Sequence, residues 1–496
     1  MLYFRTFVTM IVSLFTVRVV FNALGEVDYG IQNVVSGFVM MLSFISGSLS
    51  VAISRFFSIE LGRKDYEQLR KTFASSLSIV FILGFILVLI IEIGGILFLK
   101  YKMNMPADRE FAANVAFQFS VATLFINTIS IPYDAIIVSR EKMSAYAYIS
   151  ILDVMLKLAI AFCLLFTSYD HLIVYSCLLF IQSLIIRYVY SIFCNRHFPE
   201  AKFRLSGDWK LLKEIGVMVG WDLWGSSSYV LKNYGVNLMI NVYCGVAVNA
   251  ARGIAMQVNT AVSKFSSGFL TAIRPQITKA YVAESRSYLF NLADMGTKFS
   301  CYLMIIFSVP LMVECGYILH LWLGEVPDYA VQFTNLILLA TISEGTLIYC
   351  HNAVIMANGN IRKAQLITGS IQLMNIPICW WLLYKGLSPV LTILVAIIIS
   401  QITCFIRIYI LKELTGYSIR NFLFRVYIPI LSVLGISYIV ALLPHIVMAD
   451  GILRLIVVCI TGMSATLLSV ISIGCTHRER DILFSKCKSV IKRIQK

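Results

Sequence analysis

Six polar residues, Gln257, Thr260, Lys264, Ser267, Thr271 and Arg274, recur at spacings of 3, 4, 3, 4 and 3 inside an otherwise apolar stretch. That period puts all six on one face of a helix. An ammonium and a guanidinium on such a face can hold an anion, since charge-assisted hydrogen bonds to phosphate or carboxylate are the strong ones. Near the middle of a bilayer each charge costs about 2.5–3.5 kcal/mol even on the milder insertion scale, so the face must look away from lipid. Small polar residues also mediate tight helix packing, but with Gln257 and Lys264 in line a wet cavity is the expectation.

The preceding apolar stretch carries its own polar line, Asp222, Ser226, Tyr229, Asn233 and Asn237, with Lys232 one step off it. Near the N-terminus, Ser36, Ser43, Ser46 and Ser50 repeat the stripe in smaller residues, and for these packing and cavity lining stay equal readings. Asp153 and Lys157 are four apart and share a face, which favours a mutually neutralising pair over a proton or sodium site. Glu92, Glu314 and Glu344 stand in apolar context. Intramembrane carboxylates are functional candidates by default, with a salt bridge to a neighbouring helix as the equal alternative. Glu314, Glu344, Asp222, Asp153 and Lys157 are therefore the ion-coupling candidates. His351 reads as a satisfied interior histidine before it reads as a proton relay. Pro310 and Pro377 are expected to kink their helices or to be tolerated in them.

What positions these residues is a membrane protein. Of 496 residues 59% are hydrophobic and 14% charged, with a mean hydropathy of +0.83. A soluble domain carries roughly 25% charged residues. Apolar runs long enough to cross about 30 Å of hydrocarbon recur throughout, at approximately 2–22, 33–54, 74–98, 112–135, 144–166, 171–194, 214–240, 253–275, 297–318, 331–355, 364–384, 389–411, 426–446 and 452–474. The expected fold is all-α with about fourteen transmembrane helices.

The formal charge of +15 is distributed by side. Alternate connections collect Arg63, Lys64, Arg70 and Lys71, then Arg140 and Lys142, then Arg196, Lys202, Arg204, Lys210 and Lys213. The tail adds a further run from Arg478 to Lys496. The opposite connections hold mainly Lys100, Lys102, Arg109 and Lys385, beside Glu26, Asp28, Asp108, Glu110, Glu325 and Asp328. That is the positive-inside pattern, and it puts both termini in the cytoplasm. Cations scattered over short loops exclude a nucleic-acid patch. The 12 cysteines are scattered singly and read as small buried hydrophobes, with no metal or disulfide pattern.

Two halves repeat. The polar stretch near Asn195–Lys213 separates them, and at an offset of 221 residues Ser36 meets Gln257, Ser43 meets Lys264, Ser46-Gly47 meets Ser267-Gly268, and Ser50 meets Thr271. Gly25 meets Gly245 at an offset of 220. Repeated halves around a midplane site are a common transporter plan. The expected organisation is a six-helix lobe at 1–195, a cytoplasmic linker at 196–213, a second lobe at 214–411, two extra helices at 412–474 and a basic tail at 475–496.

Several blocks resemble the Wzx-type polysaccharide flippases. They are Val17-Arg18-Val19-Val20 leading into Ala23-Leu24-Gly25-Glu26-Val27-Asp28-Tyr29-Gly30-Ile31, then Ser54-Arg55-Phe56-Phe57, Leu61-Gly62-Arg63-Lys64-Asp65-Tyr66 and Ala357-Asn358-Gly359-Asn360. The resemblance covers nearly the whole chain, and the opening block, a first helix with Arg before an LGxxDYG loop, is its most specific part. It implies the multidrug/oligosaccharidyl-lipid/polysaccharide superfamily, with two six-helix lobes around a central cavity and two additional helices. It also implies a substrate of undecaprenyl-pyrophosphate bearing a glycan repeat unit, flipped from the cytoplasmic to the periplasmic leaflet of a bacterial inner membrane. By the same analogy Arg18, Arg55 and Arg274 lead the substrate-binding candidates. Lys264 and Gln257 join them from the stripe, and Lys232 and Asn237 from the preceding helix. Arg252 sits near the outer edge. Implied partners are the lipid-linked oligosaccharide, membrane lipids and the polysaccharide polymerase machinery; no cofactor is implied. The chain departs from the resemblance in its scant polar leader, so either the natural start lies upstream of Met1 or the first helix is weakly anchored.

No HExxH, Walker loop or GxSxG motif occurs, and the outward connections are short. Energy must then come from gradients or from consumption of product. Within transport the rival is a MATE-type drug/cation antiporter, which should line its cavity with carboxylates. The rival of another class is a membrane glycan polymerase or ligase, which would want a sizeable outer loop bearing Arg and His.

Overall fold

The computed structural model describes residues 2–40, 43–101, 107–202, 208–283, 286–476 and 479–481. Lys102, Arg204 and most of the basic tail lie outside the described residues. Among those described, every regular element is helical.

The chain divides into two compact units, Met1–Ser226 and Ser227–Lys496. The first contains α1 (Leu2–Met40), α2 (Ser43–Arg63), α3 (Tyr66–Tyr101), α4 (Glu110–Ser139), α5 (Met143–Leu164) and α6 (His171–His197), then the first part of α7 (Trp209–Cys244). The second unit takes the rest of α7, then α8 (Val246–Val282), α9 (Arg286–Val313), α10 (Cys315–Leu323), α11 (Ala330–Thr341) and α12 (Tyr349–Asn358). It finishes with α13 (Arg362–Leu373), α14 (Asn375–Tyr384), α15 (Leu391–Thr415), α16 (Ile419–Phe422), α17 (Ile428–Val447) and α18 (Ile452–Ser469).

Eleven helical stretches among the described residues are long and apolar enough to cross a bilayer. Three of them run through a π-helical turn, at Ile342–Thr346, Leu423–Tyr427 and Val470–Gly474. The helices outside that set include α7 and α8, the two that carry polar lines.

The start of the chain departs from the expected loop. The segment around Asp28 is helical, and α1 is interrupted only at Gly25, with φ 75° and ψ 174°. Glu26 to Met40 therefore form the opening of the second span, about seven residues earlier than its hydropathy begins. Polar residues can sit there because they are satisfied: Arg109 Nε donates to Asp28 Oδ1 at 2.7 Å, and Ser176 donates to Gln32 Oε1 at 3.1 Å. In the second unit Gly245, with φ 86° and ψ 172°, separates α7 from α8 in the same way. Such values are essentially restricted to glycine, so the Gly25 and Gly245 match in sequence is also a match in backbone geometry.

In the first unit α4 packs against α1, α2, α3 and α6. Toward its C-terminal end Tyr133 meets the Phe73 ring edge-on at 5.2 Å, and Phe73 stacks on Phe57 with centroids 5.8 Å apart. In the second unit α9 is the buried axis, packed by α8, α12, α17 and α18. Pro310 lies inside α9, four residues before the break that starts α10. Pro377 sits in the first turn of α14, after the break at Met374, where a missing N–H costs no helical bond.

Candidate functional site

The polar face of α8 is built by contrast with its other side. Ala251, Ala255, Val262, Leu270, Ile273 and Ile277 are buried, on a helix that packs against α9, α11 and α12. On the opposite side Gln257, Thr260, Lys264 and Ser267 are exposed, and Thr271 and Arg274 are half-buried. The hydroxyls are committed to the helix itself: Thr260 donates to Met256 O at 2.8 Å and Thr271 to Ser267 O at 2.9 Å. What remains free to meet a ligand is the Gln257 amide and the two cations. Neither Lys264 nor Arg274 forms an ion pair among the described residues. An exposed, unpaired lysine halfway along a helix of this length needs water or an anion around it.

A second cluster lies inside the second unit, lining a partly open cavity. Its walls come from α7 (Tyr229, Lys232), α8 (Arg252), the π-helical turn after α11 (Glu344), α14 (Asn375) and α15 (Thr392). Lys232, 3% exposed, donates to Glu344 Oε1 and lies 5.0 Å from the centroid of the Tyr229 ring. The π-helical turn inserts an extra residue into the helical register, a local irregularity frequent at functional sites. Two cations therefore share the cavity lining with one carboxylate.

The structure places the remaining candidates as follows. Arg18 lies in α1, and its side chain is outside the described residues. Arg55 is half-buried on α2, its guanidinium 5.1 Å from the Phe56 ring centroid. Asn237 is half-buried on α7 without lining the cavity, and Asp222, buried on α7, belongs to the first unit. Asp153 and Lys157 pair at 2.8 Å, and Gln182 of α6 donates to the same carboxylate. Glu92 accepts from Gln118 at 3.0 Å.

Glu314 has a fully buried side chain at the α9–α10 break. It accepts from Arg454 Nη2 at 2.8 Å, and its other oxygen lies 2.9 Å from His445 Nδ1. It thus clamps α17 and α18 to α9. His351 is fully buried; its Nε2 is 2.9 Å from Asp294 Oδ1 and 3.2 Å from the Tyr417 hydroxyl, and its Nδ1 is 3.1 Å from Thr297 Oγ1. Sequence reading separated Lys232, as a substrate ligand, from Glu344, as a coupling carboxylate. The fold joins them into one pair. The reading missed Asn375 and the isolation of Arg252, for which no periodic signal exists.

Comparison with known proteins gives the fold a context. Residues 3–163 match the MatE family model. No curated protein sequence matches the chain. Among solved structures, a MATE point mutant superposes with a TM-score of 0.71 at 13% identity, covering 84% of this chain and 95% of its own. A Vibrio cholerae MATE transporter mutant gives 0.70 at 13%, covering 83% and 94%. A Pyrococcus furiosus transporter of the MOP superfamily gives 0.67 at 14%, covering 84% and 94%; its binding pocket has reversed polarity, which suggests a different function for it. The chain has the MATE-like transporter fold.

Proposed function

We propose that this chain is a multi-pass exporter of the bacterial inner membrane, with both termini in the cytoplasm, whose cargo is an anionic lipid-linked oligosaccharide. In this reading a prenyl-pyrophosphate-linked repeat unit passes from the inner to the outer leaflet for polysaccharide assembly, and a polymerase takes it up there. The observation that carries the reading is the exposed face of α8. Lys264 and Arg274 have no ion pair among the described residues, and Gln257 lies in line with them. A pyrophosphate supplies the charge such a face needs, while an organic cation would be repelled by it. Arg55 and Arg18 are further substrate-binding residues in this reading.

The second reading, a MATE-type drug/cation antiporter, is favoured by the MATE transporters whose fold the chain shares. Those proteins share the fold at 13–15% identity, a distance at which fold does not carry cargo with it. The Pyrococcus furiosus transporter, in which reversed pocket polarity suggests a different function, supports cavity charge as the property to follow. In this chain the carboxylate of the second unit's cavity, Glu344, is already held by Lys232.

The test is reconstitution into proteoliposomes. One arm measures flipping of a short-chain prenyl-pyrophosphate saccharide; the other measures efflux of a cationic dye under a pH gradient. The flippase reading expects activity in the first arm only, and its loss in Lys264→Glu with Arg274→Glu. Dye efflux without lipid flipping would replace it with the antiporter reading.

A further inference from the structure

The cavity of the second unit contains a guanidinium that the α8 face does not use. Arg252 is 8% exposed and lines the cavity, yet its Nη1 has no hydrogen-bond acceptor and the side chain forms no ion pair among the described residues. Asn375, 1% exposed, also faces the cavity with its Nδ2 unpartnered, while its carbonyl oxygen takes the Cys379 thiol at 3.2 Å. Leaving a buried polar donor unmet costs about 1–3 kcal/mol, and more for a charged one. Two such donors in one cavity, beside a lysine neutralised only by Glu344, describe a site built for negative charge.

We propose that this cavity binds a compact oxyanion, a phosphate, sulfate or carboxylate group, through Arg252, Asn375 and Lys232, in competition with Glu344. Glu344 serves as a resident counter-charge. It holds Lys232 when the site is empty and yields the ammonium when an oxyanion arrives. Its place on a π-helical turn, where the helical register is already relaxed, suits a carboxylate that changes partner. Arg252 supplies the planar fork that oxyanions fit. The site rests on this cavity alone and holds whether or not the cargo is a lipid-linked glycan. The oxyanion is either a free ion or an acidic group carried on the cargo.

The experiment is isothermal titration of the purified full-length protein with inorganic pyrophosphate against a chloride background of equal ionic strength. Wild type is expected to bind saturably. Arg252→Gln should weaken binding about tenfold or more, the loss of a hydrogen bond to a charged group, while Glu344→Gln should tighten it by a similar factor because the competitor is gone. Glu344→Gln should also melt lower than wild type in chloride and recover when pyrophosphate is added. If Arg252→Gln cannot be purified, Lys232→Gln takes its place with the same expected direction. Equal affinity in wild type, Arg252→Gln and Glu344→Gln overturns the proposal, as does weaker binding in Glu344→Gln. A parallel titration with a short prenyl pyrophosphate separates the sources: equal affinities mean a free ion, whereas tighter lipid binding that Arg252→Gln removes means a group on the cargo.

Discussion

Asp170 serves two partners with one carboxylate. It caps α6, accepting from Leu172 N at 3.0 Å and Ile173 N at 3.1 Å, and it pairs with Arg109 Nη1 at 2.6 Å. Burial alone would push its carboxyl up, but the Arg109 hydrogen bond and the two backbone donors outweigh that and hold it below the ordinary carboxylate range. A lowered value stabilises the fold above the unfolded pKa of about 3.9 and loses that contribution as pH falls through the folded value. Thermal melts of the purified protein should therefore be insensitive to this group between neutral pH and about 5, then fall more steeply below about 4 in wild type than in Asp170→Asn. Glu314 makes the opposite demand. Its Arg454 partner is 6% exposed and also pairs with the exposed Asp450, so removing Glu314 leaves a buried guanidinium with one solvated partner and costs part of the about 3–5 kcal/mol of a broken buried pair. Glu314→Gln should lower the melting temperature sharply, and Glu314→Gln with Arg454→Met should recover part of the loss. At this scale the i,i+4 spacing makes the Asp153–Lys157 pair legible in the sequence. Lys232 and Glu344 are 112 residues apart, and no local pattern links them.

Gly25 and Gly245 show how the elements are set. No atom lies within 4 Å of where a Cβ would stand at either glycine, so an alanine there meets no clash and only the backbone conformation resists it. Each Gly→Ala substitution is expected to cost about 1–3 kcal/mol, measurable as a lower thermal midpoint, and the two costs should add, since the sites belong to different units. A large departure from additivity would mean that the two breaks are energetically coupled. Eleven of the spans were readable from hydropathy, and the exposed face of α8 from its spacing, because polar spacing in an apolar helix has few explanations. The π-helical turn at Ile342–Thr346 was not: its residues, Ile, Ser, Glu, Gly and Thr, carry no proline, and the widened turn appears only where α9 and α15 pack against it. The extension of the second span back to Glu26 was also hidden, since its polar residues are tolerated through Arg109, far along the chain.

For the whole molecule the proposed topology and cargo have separate consequences. Single-cysteine labelling in cells should place Lys71, Lys202 and Arg286 on the inside and Asp108, Asp328 and Gly451 on the outside; Lys202 and Asp108 on one side would break the fourteen-span arrangement. A cargo with about two negative charges leaving a cell that is negative inside moves downhill, by about 2.3 kcal/mol per charge per 100 mV. An imposed potassium diffusion potential, without pH or sodium gradients, should then drive net outward flipping, and reversing the potential should reverse it. A rate indifferent to the sign would indicate a compensating ion. The break at Gly25 also bears on how the protein is made. A single residue separates the two helical stretches of α1, so the nascent chain offers no hydrophilic loop between them. The second stretch carries Asp28, whose partner Arg109 is synthesised 81 residues later. Until then the young chain holds that carboxylate without the guanidinium that pairs with it in the fold.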